Sequence, residues 1–150
     1  MVVLNQRSRG WLELRSARPQ ERPAITLNIM QDEWDMQTMI RGIREARRIY
    51  RTSPQAEITG AEMLPGEDVQ SDDELAAWVR QVCEIGQHAV GSCRMGADAM
   101  AVTDPQLRVH GTERLRVIDA AVMPTVPGAN TNASAIMIGE KGADLVKAAA

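Results

Sequence analysis

The sequence predicts a mixed α/β fold in which short strands and helices share the chain. Three observations carry this. Ile25, Leu27 and Ile29 alternate with Thr26, Asn28 and Met30, the period of two expected of a strand. Met36, Ile40, Ile43, Arg47 and Tyr50 recur at helical spacing. Leu107-Arg108-Val109 and Leu115-Arg116-Val117-Ile118 flank His110-Gly111-Thr112-Glu113-Arg114, a pattern of a hairpin or two neighbouring strands.

Taken in order, residues 1–30 read as strands, with Ser8-Arg9-Gly10 as a turn signal and Trp11, Leu12 and Leu14 ahead of Pro19 and Pro23. Residues 33–51 read as a helix. Asp32 is its expected N-cap, because a carboxylate there can accept from a free N–H of the first turn. Most of the Met36–Tyr50 stripe should face a core. Arg41, Arg44, Arg48 and Arg51 form a basic stripe beside it, read as a solvated face, with docking to an acidic surface as the alternative. Residues 52–70 hold Pro54, Gly60, Pro65 and Gly66 and read as a loop.

Ser71-Asp72-Asp73-Glu74 fits a capping box, with Glu74 three residues after Ser71. Leu75, Trp78, Val79 and Val82 then give an apolar face to a helix ending near Ile85-Gly86. Residues 88–129 contain Gly, Pro and short β-rich runs. Residues 133–148 read as a final helix. Its first half, Ala133 to Ile138, is apolar apart from Ser134 and is expected to be buried.

Composition bounds the function. The chain has 150 residues, enough to bury a core, with 44% hydrophobic and 25% charged residues, the balance of a soluble globular protein. A net charge of -3 gives no global attraction to nucleic acid. No apolar run approaches the roughly 20 residues of a membrane helix, and Met1-Val2-Val3-Leu4-Asn5-Gln6-Arg7 does not read as a signal peptide. Cys83 and Cys93 form no CxxC pair, so free thiols in a reduced, cytoplasmic setting are expected.

Three clusters carry chemistry. His88-Ala89-Val90-Gly91-Ser92-Cys93-Arg94-Met95-Gly96 sets a histidine, the side chain best suited to move protons near neutral pH, before a Gly-containing turn. Asp104-Pro105, followed by Leu115 through Pro124, ends an apolar run in Asp119, Ala120 and Ala121, where small residues allow a ligand to approach backbone closely. Asn130-Thr131-Asn132 precedes the final helix. One of the three is accounted for by capping. Together they also set the positive end of the helix dipole toward an anion or an electron-rich ring.

In this order the clusters resemble the C-terminal signature of the glucose–methanol–choline (GMC) oxidoreductase family, which includes choline dehydrogenase and related alcohol dehydrogenases. The family pattern is approximately His-Pro-x-Gly-Thr-Cys-Arg-Met-Gly, then Val-x-Asp-Pro-x-Leu-Arg-Val-His-Gly, then Leu-Arg-Val-x-Asp-Ala-Ser-x-Met-Pro, then Asn-x-Asn-Ala-Pro before a buried helix. Here it stands as His88–Gly96, Val102–Gly111, Leu115–Pro124 and Asn130–Ser134. Upstream, Ser8-Arg9-Gly10, Gly42-Ile43-Arg44 and Ser71–Leu75 extend it, so the resemblance covers nearly the whole chain. Ala89, Ser92, Ala121 and Ser134 depart from the pattern, and none removes an ionisable group. The family's Gly-rich βαβ fingerprint for the ADP part of FAD is missing, and no G-x-G-x-x-G follows a strand.

The resemblance implies a piece of an FAD-dependent oxidoreductase that acts on the CH–OH group of an alcohol and is inactive without its FAD-binding part. His88 matches the catalytic base. Asn132 matches a second active-site position and would hydrogen-bond the alcohol oxygen. Asp119, Ala120, Asn130, Thr131, Asn132 and Ala133 match segments that lie against FAD. In the family's two-domain α/β design, residues 1–87 belong to the substrate-binding domain, and 88–150 form the active-site segment and the return to the FAD domain as a closing strand and helix. Two other readings stand beside this one. The chain could be a non-catalytic binding module derived from the fold. It could also be a small metal protein using Cys83, His88, Cys93 and His110, although that spacing matches no common zinc pattern.

Overall fold

The computed structural model describes residues 2–149. Helices dominate, and the sheet is small: β1 (Trp11–Glu13) pairs with β2 (Ala24–Thr26), and α1 (Glu33–Tyr50), α2 (Asp72–Val82) and α3 (Asn132–Lys147) follow. Single 3-10 turns occur at Gln55–Glu57 and Ala120–Val122. The chain forms two compact units, residues 2–10 with 26–84, and residues 11–25 with 85–149.

The first unit is built on α1 and α2. Asp32 caps α1 by accepting from the Trp34 N–H at 2.8 Å, and the first turn carries Glu33 and Asp35 where the helix dipole favours negative charge. Ser71 and Glu74 close a reciprocal capping box on α2, and those backbone and hydroxyl bonds hold the Glu74 carboxyl below its ordinary range. Met36, Ile40 and Ile43 of α1 pack with Leu75, Ala76 and Val79 of α2 into one buried cluster. Asp35 is 1% exposed and accepts from the backbone N–H groups of Arg7 (2.8 Å) and Ser8 (2.7 Å). Burial pushes its carboxyl up, but the Ser8 hydroxyl and these two N–H groups outweigh it and hold the group below the ordinary range. The Arg7 guanidinium lies 4.6 Å above the Trp34 ring.

Several expectations are corrected in this unit. Ser8-Arg9-Gly10 makes no turn. Gly10 is needed instead for close approach, since a Cβ there would stand 2.8 Å from the Leu27 carbonyl oxygen and closer still to that of Thr26. The alternation through Ile29 does not extend a strand, because β2 stops at Thr26. Tyr50 is 52% exposed rather than in the core. Arg47, on the apolar stripe, is a half-buried tether: its guanidinium grips Glu62 by two nitrogens (2.7–3.1 Å) and donates to the Gly66 and Val69 carbonyls at 3.1 and 2.9 Å. It organises the 62–69 loop that lacks regular structure of its own. α2 ends at Val82, with Val82 exposed and Ala76 buried in its place. Cys83 packs against the core, and burial pushes its thiol up, the condition of an unreactive cysteine. The basic stripe is solvent-exposed, with Arg44 paired to Asp72 and Arg48 to Glu45.

The second unit is a compact set of single bridges rather than long strands. Met95 pairs with Thr103, Thr103 with Val109, and Arg108 with Arg116. The last of these joins the two runs of 107–118 expected as a hairpin or neighbouring strands, as one antiparallel bridge and not full strands, with Val109 N–H to Leu115 O (3.0 Å) and Val117 N–H to Leu107 O (3.1 Å) beside it. Leu107, Val122, Met123 and Ile138 form the core, with Ala135 and Leu145 of α3 against it. Gly142 of α3 is buried against Ile118. The expected burial of the first half of α3 is corrected: Ile136 and Met137 are each 59% exposed. The helix is apolar on most sides, and its own unit covers only the side that carries Ile138 and Gly142. The large apolar residues of β1 and β2, Trp11, Leu12 and Ile25, are likewise exposed.

Candidate functional site

His88 follows Gln87, whose φ of 60° places a non-glycine residue in the left-handed region, a conformation that costs energy and recurs where a chain is turned into a site. Gly91, at φ 86°, turns the chain again three residues later, and a Cβ there would meet the Met123 carbonyl oxygen at 3.3 Å. Beyond this turn the segment is pinned: Cys93 and Met95 donate backbone N–H to the carbonyls of Ala121 (3.0 Å) and Val122 (2.8 Å). The fully buried Thr103 donates its hydroxyl to the Cys93 carbonyl at 3.1 Å. The Arg94 guanidinium beside Asp98 holds that carboxyl far below the ordinary carboxylate range.

The half-buried His88 ring meets the start of α3. Its Nδ1 lies 2.9 Å from Oγ1 of Thr131, the residue in the N-cap position. Thr131 is 9% exposed, and no side chain caps α3. The hydroxyl that could cap the helix meets the histidine ring instead. Asn132, the first residue of α3, adjoins this pair and is exposed, as are Asn130 and Ala133. The leading N–H groups of any helix lack intrahelical partners. This helix start therefore presents exposed amides, small side chains and the positive end of a dipole together.

Asp119 and Ala120 lie on a separate segment of the same unit. The Asp119 carboxylate accepts from the Ala121 N–H at 2.7 Å and caps the 3-10 turn, which packs against α3. No hydrogen bond among the described residues joins Asp119 to 130–133. The exposed His110 sits in the hairpin turn, with Nε2 3.3 Å from the Gly96 carbonyl. Among the described residues no group of three or more His, Cys, Asp or Glu side chains could hold a metal ion, and no helix is long and apolar enough to cross a membrane.

Sequence reasoning missed the His88–Thr131 bond. Its only sign is a threonine in the N-cap position, and capping explains that equally well. Arg47 was legible in principle, because a charge inside an apolar helical stripe needs a buried partner.

Comparison with known proteins identifies the family. The family model for the C-terminal part of GMC oxidoreductases matches residues 6–139. Oxygen-dependent choline dehydrogenase of Proteus mirabilis is 45% identical over 140 residues, covering 93% of this chain and 25% of that protein. Alcohol dehydrogenase [acceptor] of Pseudomonas putida is 43% identical over 140 residues, with the same shares. Among solved structures, an FAD-dependent oxidoreductase from Chaetomium thermophilum superposes with a TM-score of 0.89 at 26% identity, over 96% of this chain and 25% of that one. The chain thus spans about a quarter of the length of the relatives it matches, and it belongs to the GMC oxidoreductase family, matching the C-terminal region of its members.

Proposed function

We propose that this chain supplies the proton-handling part of an FAD-dependent oxidoreductase acting on the CH–OH group of an alcohol. The observation that carries the proposal is the histidine ring held by Thr131 at an uncapped helix start, beside Asn132. Relatives that are alcohol and choline dehydrogenases support the reaction class, and FAD-dependent structural neighbours support the cofactor. Residues 1–87 then belong to the substrate-binding domain, and 88–150 to the active-site segment and the return to the FAD domain.

The residues present fit FAD. The exposed start of α3, with small Ala133 and flanking Asn130 and Asn132, leaves backbone open to a flat ring and places a positive dipole end beside it. Asp119 and Ala120 complete the cofactor-facing set. Because the Thr131 hydroxyl is taken by His88, Thr131 offers the cofactor its backbone. The pyrophosphate cradle is not in this chain, since no Gly-rich strand–helix turn occurs in it. FAD bound there would supply the acceptor for the hydride of the alcohol carbon.

The chain's own residues handle the proton. His88 accepts the hydroxyl proton on a ring nitrogen, and the Asn132 amide donates to the developing alkoxide and holds it in place. Asn132 cannot accept a proton near neutral pH, so the base role falls to His88.

The test is anaerobic stopped-flow reduction of the flavin in the complete flavoprotein, using primary alcohols that include choline. His88→Ala should slow reduction by about 10²–10⁴-fold, the usual cost of losing a general base. Asn132→Ala should cost less, roughly 1.5–3 kcal/mol for a hydrogen bond to a charged group. His110→Ala, at an exposed turn, should change turnover little. Native-like reduction in the His88 variant, or a collapse confined to the His110 variant, would place the base elsewhere.

A further inference from the structure

A threonine in the N-cap position ordinarily turns its hydroxyl to its own helix. Thr131 does not: it takes φ -74° and ψ -12°, not the extended backbone of a side-chain cap, and α3 has no side-chain cap bond. Its hydroxyl is instead 2.9 Å from His88 Nδ1. Neutral imidazole carries one N–H and leaves the other nitrogen to accept. If Thr131 donates to Nδ1, the proton sits on Nε2, and that nitrogen cannot take another. If Nδ1–H donates to Thr131, Nε2 is left with a free lone pair. After the ring takes up a proton, both nitrogens carry hydrogen and Thr131 can only accept. One arrangement therefore serves the ring before and after transfer without turning any group.

We infer that Thr131 is a positioning residue whose hydroxyl accepts from Nδ1–H of His88, fixing the tautomer and ring orientation that present Nε2 as the base. The inference rests on the proposal that His88 is the base, and it assigns Thr131 a role separate from its backbone contact with the cofactor. Thr131 acts through His88 and needs no contact with the alcohol.

The experiment uses the complete flavoprotein and the primary alcohol, from a panel including choline, that reduces the native flavin fastest. Thr131→Val keeps the shape and removes the acceptor. Thr131→Ser keeps the hydroxyl and removes the methyl. The limiting rate of flavin reduction should fall roughly tenfold in Thr131→Val, as expected for one lost hydrogen bond, with the alcohol Kd unchanged, and should be largely retained in Thr131→Ser. In a His88→Ala background Thr131→Val should make no further difference, since the two residues act as one unit. A second readout is independent of turnover. Nitrogen-15 spectra of histidine-labelled protein, with the His88 signals identified by their loss in His88→Ala, should show Nδ1–H in the native protein and a shift toward Nε2–H in Thr131→Val.

A native rate in Thr131→Val, a greater loss in Thr131→Ser than in Thr131→Val, loss of bound flavin from Thr131→Val, or an Nε2–H tautomer in the native protein would each overturn the inference. A native rate in His88→Ala would overturn the base assignment itself. A slow His88→Ala beside a fast Thr131→Val would overturn only the role of Thr131.

Discussion

Two glycines of α3, three residues apart, should respond to the same substitution with opposite signs. A Cβ at Gly139 meets nothing within 4 Å. Gly139→Ala therefore collects only the helix-propensity gain, about 0.5–1 kcal/mol. A Cβ at Gly142 would overlap Ile118 Cγ2 and stand 3.0 Å from its Cδ1 and 3.2 Å from its Cβ. The overlapping atom is a branch methyl on a side chain stiff at χ1, so it cannot swing aside as a chain end could. Overpacking of this kind costs about 1–3 kcal/mol and outweighs the propensity gain, so Gly142→Ala should be net destabilising by about 1–2 kcal/mol. In an Ile118→Ala background the branch methyl is gone, and adding Gly142→Ala should become neutral or stabilising. Amide hydrogen exchange of α3 in this chain, where the Gly139 side is open, reads all four variants, since each 1.36 kcal/mol of opening free energy changes the exchange rate about tenfold. Equal protection in Gly139→Ala and Gly142→Ala, or destabilisation that persists without the Ile118 methyls, would refute the close-packing argument.

The Asp35 carboxylate sits below its ordinary value of 3.8 in the folded protein, so its contribution is present above that pH and lost as pH falls through its lower folded value; acid unfolding of the first unit should begin at higher pH in native protein than in Asp35→Asn measured against its own neutral-pH stability. Asp35→Ala should cost about 1–3 kcal/mol at neutral pH for the Ser8 N–H left buried and unpaired, with less from the part-exposed Arg7 N–H, and an unchanged denaturant midpoint would contradict the role given to Asp35. Arg47→Lys keeps the charge but cannot grip Glu62 with two nitrogens while reaching the Gly66 and Val69 carbonyls; limited proteolysis should then cut within 62–69 several times faster, and native-like resistance would show that the loop holds itself.

Local chemistry was the most legible part of the sequence. Asp32 and the Ser71–Glu74 box are decided by atoms within three residues of each other, and both helices start as that chemistry dictates. The Leu107–Ile118 hairpin was legible because two β-rich runs flank a short turn. The misreadings came from patterns whose meaning depends on distant chain. Ile25, Leu27 and Ile29 alternate, yet three-residue strands with no third partner do not propagate the ladder. Ala133 to Ile138 reads as a buried helix because it is apolar all round, while residues 85–149 supply cover for one side. At the candidate site His88 and Asn132 are proposed from an ordered motif, whereas the His88–Thr131 bond could not be read from it, because it spans 43 residues and nothing in a threonine's neighbours says which way its hydroxyl turns.

The pinned backbone after His88 also divides the second unit into parts that differ in their tolerance of change. Residues 97–101 leave and re-enter between Arg94–Gly96 and Val102–Thr103, where Val102 N–H meets Arg94 O at 3.0 Å and Gly96 N–H meets Thr103 O at 2.9 Å. That neck closes the excursion, and Ala97 through Met100 lie exposed beyond it. Added residues there lengthen a loop that is already closed, and the entropy of closure grows only slowly with length. A peptide tag or fluorophore spliced between Ala99 and Met100 gives up the Met100 and Ala101 N–H bonds to Asp98 but leaves the neck bonds, so it should report on this part of the protein with His88 and the start of α3 in place. The same insertion between His88 and Cys93 would break the span that carries the ring to Thr131.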